Sequence, residues 1–171
     1  MTEVGPRRVD DVDWEHWQPV DRATLAFVVQ DGRVLLIRKK RGLGAGKITA
    51  PGGRIEGGET PLACAVRETQ EETHVTPLAP EACGELRFAF ADGYSIHVHV
   101  FRSPRAQGEP RETAEALPFW VPIADIPYTE MWADDVLWLP HLLERRTFSG
   151  RFVFEQDAML DAALEVDGRP A

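Results

Sequence analysis

The sequence has little cysteine, little positive charge and no long apolar run. Its 171 residues include two cysteines, Cys64 and Cys83, which are too few for the disulfide framework of a small secreted protein. No segment reaches the roughly 20 apolar residues needed to cross a bilayer. Residues 1–17 also lack the apolar stretch of a signal peptide. These absences predict a cytoplasmic protein that does not act in a membrane.

The charge balance is acidic, with a net charge of -9. A surface of this sign repels the backbones of DNA and RNA, so a polymeric nucleic acid is not expected as a partner. A small anion can still bind where local cations and a metal reverse the sign. The content of 43% hydrophobic and 27% charged residues is typical of a globular protein, and the length suggests one domain with short extensions. The oligomeric state is left open.

Turn residues and apolar patterning predict a series of β-strands. Residues 23–30 and 33–38 are β-prone and flank Asp31-Gly32, a two-residue turn signal that predicts a hairpin. A second pair, Asp92-Gly93, predicts another hairpin. The remaining predicted strands lie at residues 86–91, 94–101, 119–121, 151–154 and 163–166, with a polar loop at 103–114.

Two helices complete the predicted elements. Thr60-Pro61 is typical of an N-cap followed by a first-turn proline, which predicts a helix from there to Glu72 or Thr73. A second helix is expected over residues 135–145. Strands and helices do not alternate regularly, so the predicted fold is α/β, a mixed β-sheet with α-helices on both faces.

The first helix concentrates acidic side chains. Glu68, Glu71 and Glu72 stand at positions i, i+3 and i+4, which share one helical face, so we expect their carboxylates to converge. A divalent cation such as Mg²⁺ prefers oxygen ligands and would relieve the repulsion between them. The alternative is a solvated acidic face. Arg67 can pair with Glu71 or with Glu59.

The spacing of the segment is more specific than its composition. Gly53, Glu59, Arg67-Glu68 and Glu71-Glu72 occupy positions that resemble the Nudix box, the signature of the Nudix hydrolase family. The resemblance implies a loop shaped by glycines and Glu59, followed by a helix whose glutamates bind metal. It also implies the Nudix fold, a mixed sheet sandwiched between helices.

Two residues depart from the box. Thr69 replaces an aliphatic residue, which we expect to cost some packing, and His74 replaces a glycine near the end of the helix. Because glycine adopts the left-handed conformation that ends helices, His74 predicts a different helix exit. Neither departure removes a metal ligand, so activity is expected to survive.

The resemblance extends beyond the box to the MutT-like branch that hydrolyses oxidised purine nucleoside triphosphates. Lys39–Gly46, Met131–Asp135 with Trp138 and Pro140, and Phe148–Phe154 match its animal-type members. It implies division into an N-terminal extension (1–22), a Nudix hydrolase domain (23–166) and a C-terminal tail (167–171). Trp14 and Trp17 suggest that the extension docks on the domain.

The resemblance implies a Mg²⁺-dependent enzyme, with Mn²⁺ as a possible substitute, that converts a substrate such as 8-oxo-dGTP to monophosphate and pyrophosphate. The expected partner is thus a nucleoside triphosphate. A metal-polarised water or a glutamate of raised pKa would act near neutral pH. Glu68 is the first candidate for the general base and Glu115, a more distant glutamate, is the second. The implied metal ligands are the carbonyl of Gly52 with Glu68, Glu71, Glu72 and Glu115, and the implied catalytic residues are these glutamates with Arg67.

Base recognition is assigned by the same resemblance. Asp134 and Asp135 are adjacent acids, and in a dry pocket one of them should hold its proton and donate to a purine carbonyl while the other accepts from an N–H group. The implied substrate-binding residues are Thr24, Lys39, Thr49, Phe88, Trp132, Asp134, Asp135, Trp138 and Phe154, with Phe90 beside them. The alternatives are that one aspartate caps the following helix, that the aromatic residues are core, and that Lys39 is solvated.

Thr49 departs from the asparagine of the animal-type enzymes. An amide presents a donor and an acceptor to a purine edge, whereas a hydroxyl is shorter and single. This substitution keeps two alternatives open. One is a Nudix hydrolase of another nucleotide, such as a methylated purine triphosphate, a dinucleoside polyphosphate or a nucleotide sugar. The other is a catalytically silent Nudix domain that binds nucleotides.

Overall fold

The structure, a computed structural model, describes residues 4–171, so residues 1–3 of the expected extension lie outside the described residues. It has two helices, α1 (Pro61–Thr73) and α2 (Asp135–Leu143). Its strands are β1 (Asp21–Gln30), β2 (Arg33–Lys39), β3 (Ile48–Thr49), β4 (Gly52–Arg54), β5 (Thr76–Leu78), β6 (Glu81–Phe90), β7 (Ser95–Ser103), β8 (Arg105–Gln107), β9 (Ala116–Pro122), β10 (Phe148–Glu155), β11 (Ala158–Val166) and β12 (Arg169–Pro170).

The main sheet is mixed, as predicted. Its strands follow the order β12-β11-β10-β6-β7-β1-β2-β3, with β4 paired to β1 and β9 paired to β2. The pairs β1–β7 and β6–β10 are parallel, and the other pairs are antiparallel. Strands β5 and β8 form a separate two-stranded sheet.

The two helices cover opposite faces of this sheet. Ala65 of α1 packs with Ala26 and Phe101, whereas Trp138 of α2 meets Phe27 edge-on at 5.6 Å between ring centroids. Neighbouring residues of a strand point to opposite faces, so Ala26 and Phe27 assign the helices to different sides. The predicted sheet between helices is confirmed. Among the described residues, neither helix is long and apolar enough to cross a membrane.

Local signals placed the first hairpin and the first helix correctly. Asp31 and Gly32 both have positive φ, 53° and 72°, as a two-residue hairpin turn between β1 and β2 requires. The Thr60 hydroxyl accepts a 3.1 Å hydrogen bond from the amide of Ala63, which caps α1. The prediction for His74 is wrong, because this residue adopts the left-handed conformation at φ 63° and ends the helix as a glycine would.

Several boundaries differ from the prediction. The sequence predicts a loop over residues 103–114, yet β8 lies within them and pairs with β5. The pair was not predicted because three-residue strands are too short to give a periodic signal. Strand β11 starts at Ala158 rather than near residue 163. Helix α2 ends at Leu143, before the expected residue 145, because Arg145 turns to the left-handed region at φ 62°.

The described part of the N-terminal extension packs on the sheet, as the tryptophans suggested. The Val9 amide donates a 2.8 Å hydrogen bond to Asp161 Oδ2 of β11. Trp14 lies under the guanidinium of Arg151, and Trp17 packs edge-on against His97 at 6.2 Å. Arg151 and His97 belong to the face that carries α1, so this segment covers the part of that face beyond the helix.

Candidate active site

Two glycines of β4 allow this strand to approach both β1 and the acidic helix α1 closely. A Cβ added to Gly52 would fall 1.9 Å from the carbonyl oxygen of Thr24, and one added to Gly53 would fall 2.4 Å from the carboxyl carbon of Glu68. Only glycine therefore fits at either position without moving the backbone or the carboxylate. The loop and the acidic helix meet at this point.

Arg67 organises the acidic helix. Its guanidinium binds Glu59 through two hydrogen bonds of 2.7 and 3.0 Å, and its Nη1 donates to Glu68 at 2.9 Å and to Glu71 at 3.1 Å. Both pairings anticipated from the sequence are therefore present. The hydrogen bonds from Arg67 lower the pKa of Glu59 to about 2. One cation thus offsets the repulsion among three carboxylates.

Glu72 is the most buried acid of the helix, with 3% exposure. Its Oε1 accepts a 2.8 Å hydrogen bond from the amide of Gly52. Burial raises the pKa of Glu72 to about 8, and burial also raises the pKa of Glu68. Buried oxygen ligands of this kind fit a hard divalent cation, which would stabilise their charged forms.

The three carboxylates do not converge on one point, in contrast to the expectation. Arg67 holds Glu68 and Glu71, while Glu72 turns to the backbone of Gly52. Among residues 4–171, the group of three ligand-type side chains whose donor atoms all lie within 4.8 Å of one another is found elsewhere, on β6 and β7. The arginine therefore takes the central place among the box carboxylates.

Glu115 lies outside this network. Its carboxylate pairs with Arg41 at 3.1 Å and is 43% exposed, and its carbonyl accepts from the amide of Lys40 at 2.9 Å. Its charge still adds to the raised pKa values of Glu68 and Glu72. It therefore stands at the rim of the acidic group.

A cavity opens beside Glu72, and its wall combines mostly apolar side chains with a few polar groups, as is typical of small-molecule sites. Of the expected substrate-binding residues, the structure brings together on its wall Thr24, Lys39, Thr49, Phe88, Trp132, Asp134, Asp135 and Trp138, with Phe90 also present. Phe154 is not on the wall. It is fully buried and packs behind Trp132 at 5.6 Å between ring centroids.

Further wall residues were missed by sequence reasoning. They are chiefly Leu43, Gly44, Leu86, Ile96 and Val98. Strand alternation could have identified Leu86 beside Phe88 and Ile96 beside Val98, since residues two apart share a face. Gly44 has φ 79°, and a Cβ there would fall 2.7 Å from the indole nitrogen of Trp132. No sequence signal connects this loop glycine with Trp132.

The two aspartates lie deep in the cavity wall. Asp134 Oδ2 accepts a 2.7 Å hydrogen bond from the indole N–H of Trp138. Asp134 makes no side-chain bond to the amides of α2, so it does not cap that helix. Its Oδ1 is buried and has no hydrogen-bond partner among the described residues. A buried acceptor without a partner is costly, so Oδ1 is free to accept from Asp135 when that acid is protonated, or from a bound ligand.

Burial and mutual repulsion favour a proton on one of these two acids. Burial raises the pKa of Asp134, and burial together with the charge of Asp134 raises that of Asp135 well above its usual value. Since Asp134 already accepts from Trp138, the proton is best placed on Asp135. The pair then offers one acceptor and one donor.

Two cationic side chains flank the cavity. Lys39 lines the wall, donates a 2.7 Å hydrogen bond to the carbonyl of Leu43, and has a pKa lowered by burial. Lys47 places its ammonium 5.1 Å from the centroid of the Trp132 ring. The solvated alternative for Lys39 thus does not describe its position. Both cations offset the acidic character of the surroundings.

Comparison with known proteins identifies the family. The model of the NUDIX domain matches residues 19–142. The chain is 42% identical over 144 residues to a protein of Danio rerio named oxidized purine nucleoside triphosphate hydrolase, covering 83% of this chain and 92% of that one. A protein of the same name from Mus musculus is 39% identical over 147 residues, covering 84% and 94%.

A solved structure has the same architecture. The crystal structure of a mutator MutT protein from Bacillus halodurans superposes with a TM-score of 0.77 at 29% identity, covering 88% of this chain and all of that one. The chain belongs to the Nudix hydrolase family, and the predicted Nudix fold and hydrolase class are confirmed. Enzymes of this family generally use a divalent metal ion.

Proposed function

We propose that the protein hydrolyses oxidised purine nucleoside triphosphates such as 8-oxo-dGTP to the monophosphate and pyrophosphate, and so removes damaged nucleotides from the pool. The observation that carries the proposal is the pair Asp134 and Asp135 on the wall of a cavity that opens beside the box helix. The names of the two animal relatives support it. The cytoplasm is the proposed location, and a nucleotide the proposed partner.

The proposed metal is Mg²⁺, for which Mn²⁺ can substitute, held by the carbonyl of Gly52 and by glutamates of the box. Burial of Glu72 and Glu68 supports this assignment, because a desolvated carboxylate gains most from a nearby cation. Such an ion neutralises phosphate oxygens and lowers the pKa of water. Glu71 is the more exposed ligand candidate, and Glu115 the more distant one.

Glu68 is proposed as the general base. Its side chain is 14% exposed against 43% for Glu115, and its pKa is raised by burial toward the range in which a carboxylate takes a proton effectively. Glu115 is held by Arg41 and ranks second. Arg67 acts as a positioning residue, since it contacts the glutamates. Lys39 provides positive charge for the phosphates from the cavity wall.

The base is proposed to stack on Trp132, between apolar wall residues such as Phe88. Protonated Asp135 donates to a purine carbonyl, and ionised Asp134 accepts from a purine N–H through the oxygen that has no other partner. Trp138 acts on Asp134 from behind through its indole N–H. Thr24 closes the wall, with its hydroxyl 3.3 Å from Cys64 Sγ.

Thr49 favours a second candidate function. It lies on the cavity wall, where a hydroxyl offers less to a purine edge than the amide expected there. The enzyme would then prefer another nucleotide, such as a methylated purine triphosphate. Pyrophosphate release from a panel of triphosphates, with and without Mg²⁺, tests both. Highest kcat/KM for 8-oxo-dGTP supports the proposal, and highest kcat/KM for another nucleotide overturns it in favour of the second. No Mg²⁺-dependent turnover would indicate a silent binding domain.

A further inference from the structure

The face of the sheet opposite the cavity carries a second cluster of titratable groups. Leu86, Ile96 and Val98 face the cavity, so the residues between them, including His97, point the other way. His97 and His99 stand two apart on β7, and Glu85 of β6 pairs directly with His99. Their donor atoms all lie within 4.8 Å of one another.

We propose that Glu85, His97 and His99 form a binding site for a Zn²⁺-type divalent transition ion, separate from the oxygen site of the Nudix box. Two imidazoles and one carboxylate suit zinc and its first-row neighbours, whereas Mg²⁺ selects oxygen ligands. The proposed site therefore differs from the box in its chemistry as well as in its ligands. It leaves one coordination position for water.

The spacing of the donor atoms matches such an ion. Glu85 Oε1 lies 3.6 Å from His97 Nε2 and 3.5 Å from His99 Nδ1. Tetrahedral bonds of about 2.0–2.2 Å place neighbouring donor atoms roughly 3.3–3.6 Å apart. The two measured edges agree with this value, and both exceed the length of a normal hydrogen bond. One oxygen is thus positioned between two nitrogens without bonding to either.

Burial without partners is the second observation. His97 is 8% exposed, and its Nε2 atom is buried with no hydrogen-bond partner among the described residues. Buried polar nitrogens normally have a partner. A metal bond to His97 Nε2 would satisfy that atom. The ring centroids of the two histidines are 4.5 Å apart, and Trp17 closes the outer side of His97.

Arg87 orients the carboxylate of this cluster. It binds one oxygen of Glu85, Oε2, at 3.4 Å and so leaves Oε1 directed at the histidines. Oε1 is the oxygen that lies 3.6 Å from His97 Nε2 and 3.5 Å from His99 Nδ1. The cluster therefore presents one carboxylate oxygen and two imidazole nitrogens to a metal ion.

The test is titration of the purified protein with Zn²⁺ by calorimetry, in excess Mg²⁺ to occupy the box. One equivalent of Zn²⁺ is expected to bind the wild type. His99→Gln and Glu85→Gln should each weaken binding at least about a hundredfold, since even outer partners of a metal site contribute roughly 10–100-fold. His16→Gln, an exposed histidine, and Glu81→Gln, an exposed glutamate on β6, are the matched controls and should leave binding unchanged.

Two further measurements keep the outcome clear. Glu71→Gln should retain the Zn²⁺ equivalent, and Zn²⁺ should raise the Tm of the wild type but not that of Glu85→Gln. Glu85 is half exposed, so its replacement is expected to fold even if a histidine variant does not. The proposal would be overturned if the wild type did not bind Zn²⁺, or if His99→Gln and Glu85→Gln bound Zn²⁺ as tightly as the wild type. Loss of the site in Glu71→Gln alone would assign the ion to the box instead.

Discussion

The indole N–H of Trp138 donates a 2.7 Å hydrogen bond to Oδ2 of Asp134, and both residues are almost completely buried. This contact fixes the orientation of the aspartate one helical turn away. It also directs the remaining oxygen, Oδ1, to a position where no described residue binds it. The relation between the two residues is therefore the basis for the predictions on base recognition.

Replacing either aspartate should weaken base recognition. A lost hydrogen bond to a charged group costs roughly 1.5–3 kcal/mol, so Asp134→Ala or Asp135→Ala should lower kcat/KM for 8-oxo-dGTP at least about tenfold. Hydrolysis of inorganic triphosphate, if any occurs, should hardly change because it lacks a base. Asp125→Ala, in an exposed turn, serves as the control. Equal losses on both substrates would point to a folding defect rather than to recognition.

Base recognition should also depend on pH. Burial and the neighbouring charge raise the pKa values of the pair, so the proton that Asp135 donates is present at low pH and lost as the pH rises. Binding of 8-oxo-dGMP without metal should therefore weaken as the pH rises, by at most about tenfold per pH unit. Asp135→Asn, which donates without titrating, should weaken less. Any titration of 8-oxo-dGMP itself affects both proteins equally, so the comparison isolates Asp135. Identical pH dependence of binding in wild type and Asp135→Asn would contradict a proton on Asp135.

The raised pKa of Glu72 makes the stability of the protein depend on pH. A carboxyl group whose pKa is raised in the folded protein binds its proton more tightly than in the unfolded chain. It therefore contributes stability that is present at low pH and lost as the pH rises through the folded value. For Glu72 this window extends from the ordinary glutamate pKa of 4.5 to its raised pKa of about 8. In EDTA, urea unfolding should show a steeper loss of stability across this range for wild type than for Glu72→Gln. Parallel curves would show that Glu72 does not hold its proton.

Activity should require the box glutamates. Glu71→Gln and Glu72→Gln should fold and lower kcat at least about a hundredfold, because each removes a carboxylate charge from the proposed metal site. Glu109→Gln, an exposed loop substitution, is the matched control. Folding is checked by circular dichroism. Wild-type turnover by a folded Glu72→Gln protein would exclude the metal assignment.

Glu59→Gln should be milder than the helix substitutions. Glu59 binds Arg67 through two hydrogen bonds and thereby shapes the loop, and an amide can keep one of them. We expect less than about a tenfold loss of kcat, with a lower Tm. Arg67→Ala should cost more, since it releases Glu68 and Glu71 as well. Direct binding of Glu59 to Mg²⁺ in a crystal structure would refute this role.

Much of the fold was predictable because its signals are local. The Asp31-Gly32 turn and the Thr60 cap depend on residues within one turn of each other, and both are confirmed. The pair β5–β8 was missed because its partners are three residues long and far apart in the chain. His74 shows the limit of residue preference, since a non-glycine residue ends the helix in the left-handed conformation.

The sequence predicts those parts of the site that belong to motifs with a fixed spacing. The box glutamates are assigned by their spacing, and Asp134 and Asp135 by the resemblance of their segment to the oxidised-purine branch, and these assignments stay predictions. The central place of Arg67 among the carboxylates depends on rotamers, and the burial of Phe154 behind Trp132 depends on packing. Neither has a signature in the sequence. Glu85 is joined to His99 by strand register, which the sequence does not specify.

The substitution Thr49→Asn tests the substrate preference by adding a hydrogen-bonding group rather than removing one. Thr49→Asn provides an amide with a donor and an acceptor at the cavity wall, so it should increase the preference for 8-oxo-dGTP over dGTP. Thr147→Asn is the control, because Thr147 is exposed and does not line the cavity. Thr60→Asn would not serve, because Thr60 caps α1. A shift toward dGTP would contradict the expected gain from the amide, and an unchanged preference would place Thr49 away from the base.

The central claim is tested most directly by kcat/KM for 8-oxo-dGTP and for dGTP, measured side by side with Mg²⁺ for wild type and Asp134→Ala. Both substrates carry the same triphosphate, so the ratio isolates the base. We predict a wild-type preference for 8-oxo-dGTP of at least about tenfold and a loss of at least about tenfold for 8-oxo-dGTP in the variant. A wild type that does not distinguish the two substrates, together with a variant that leaves both rates unchanged, would contradict the assignment of this cavity to oxidised purines.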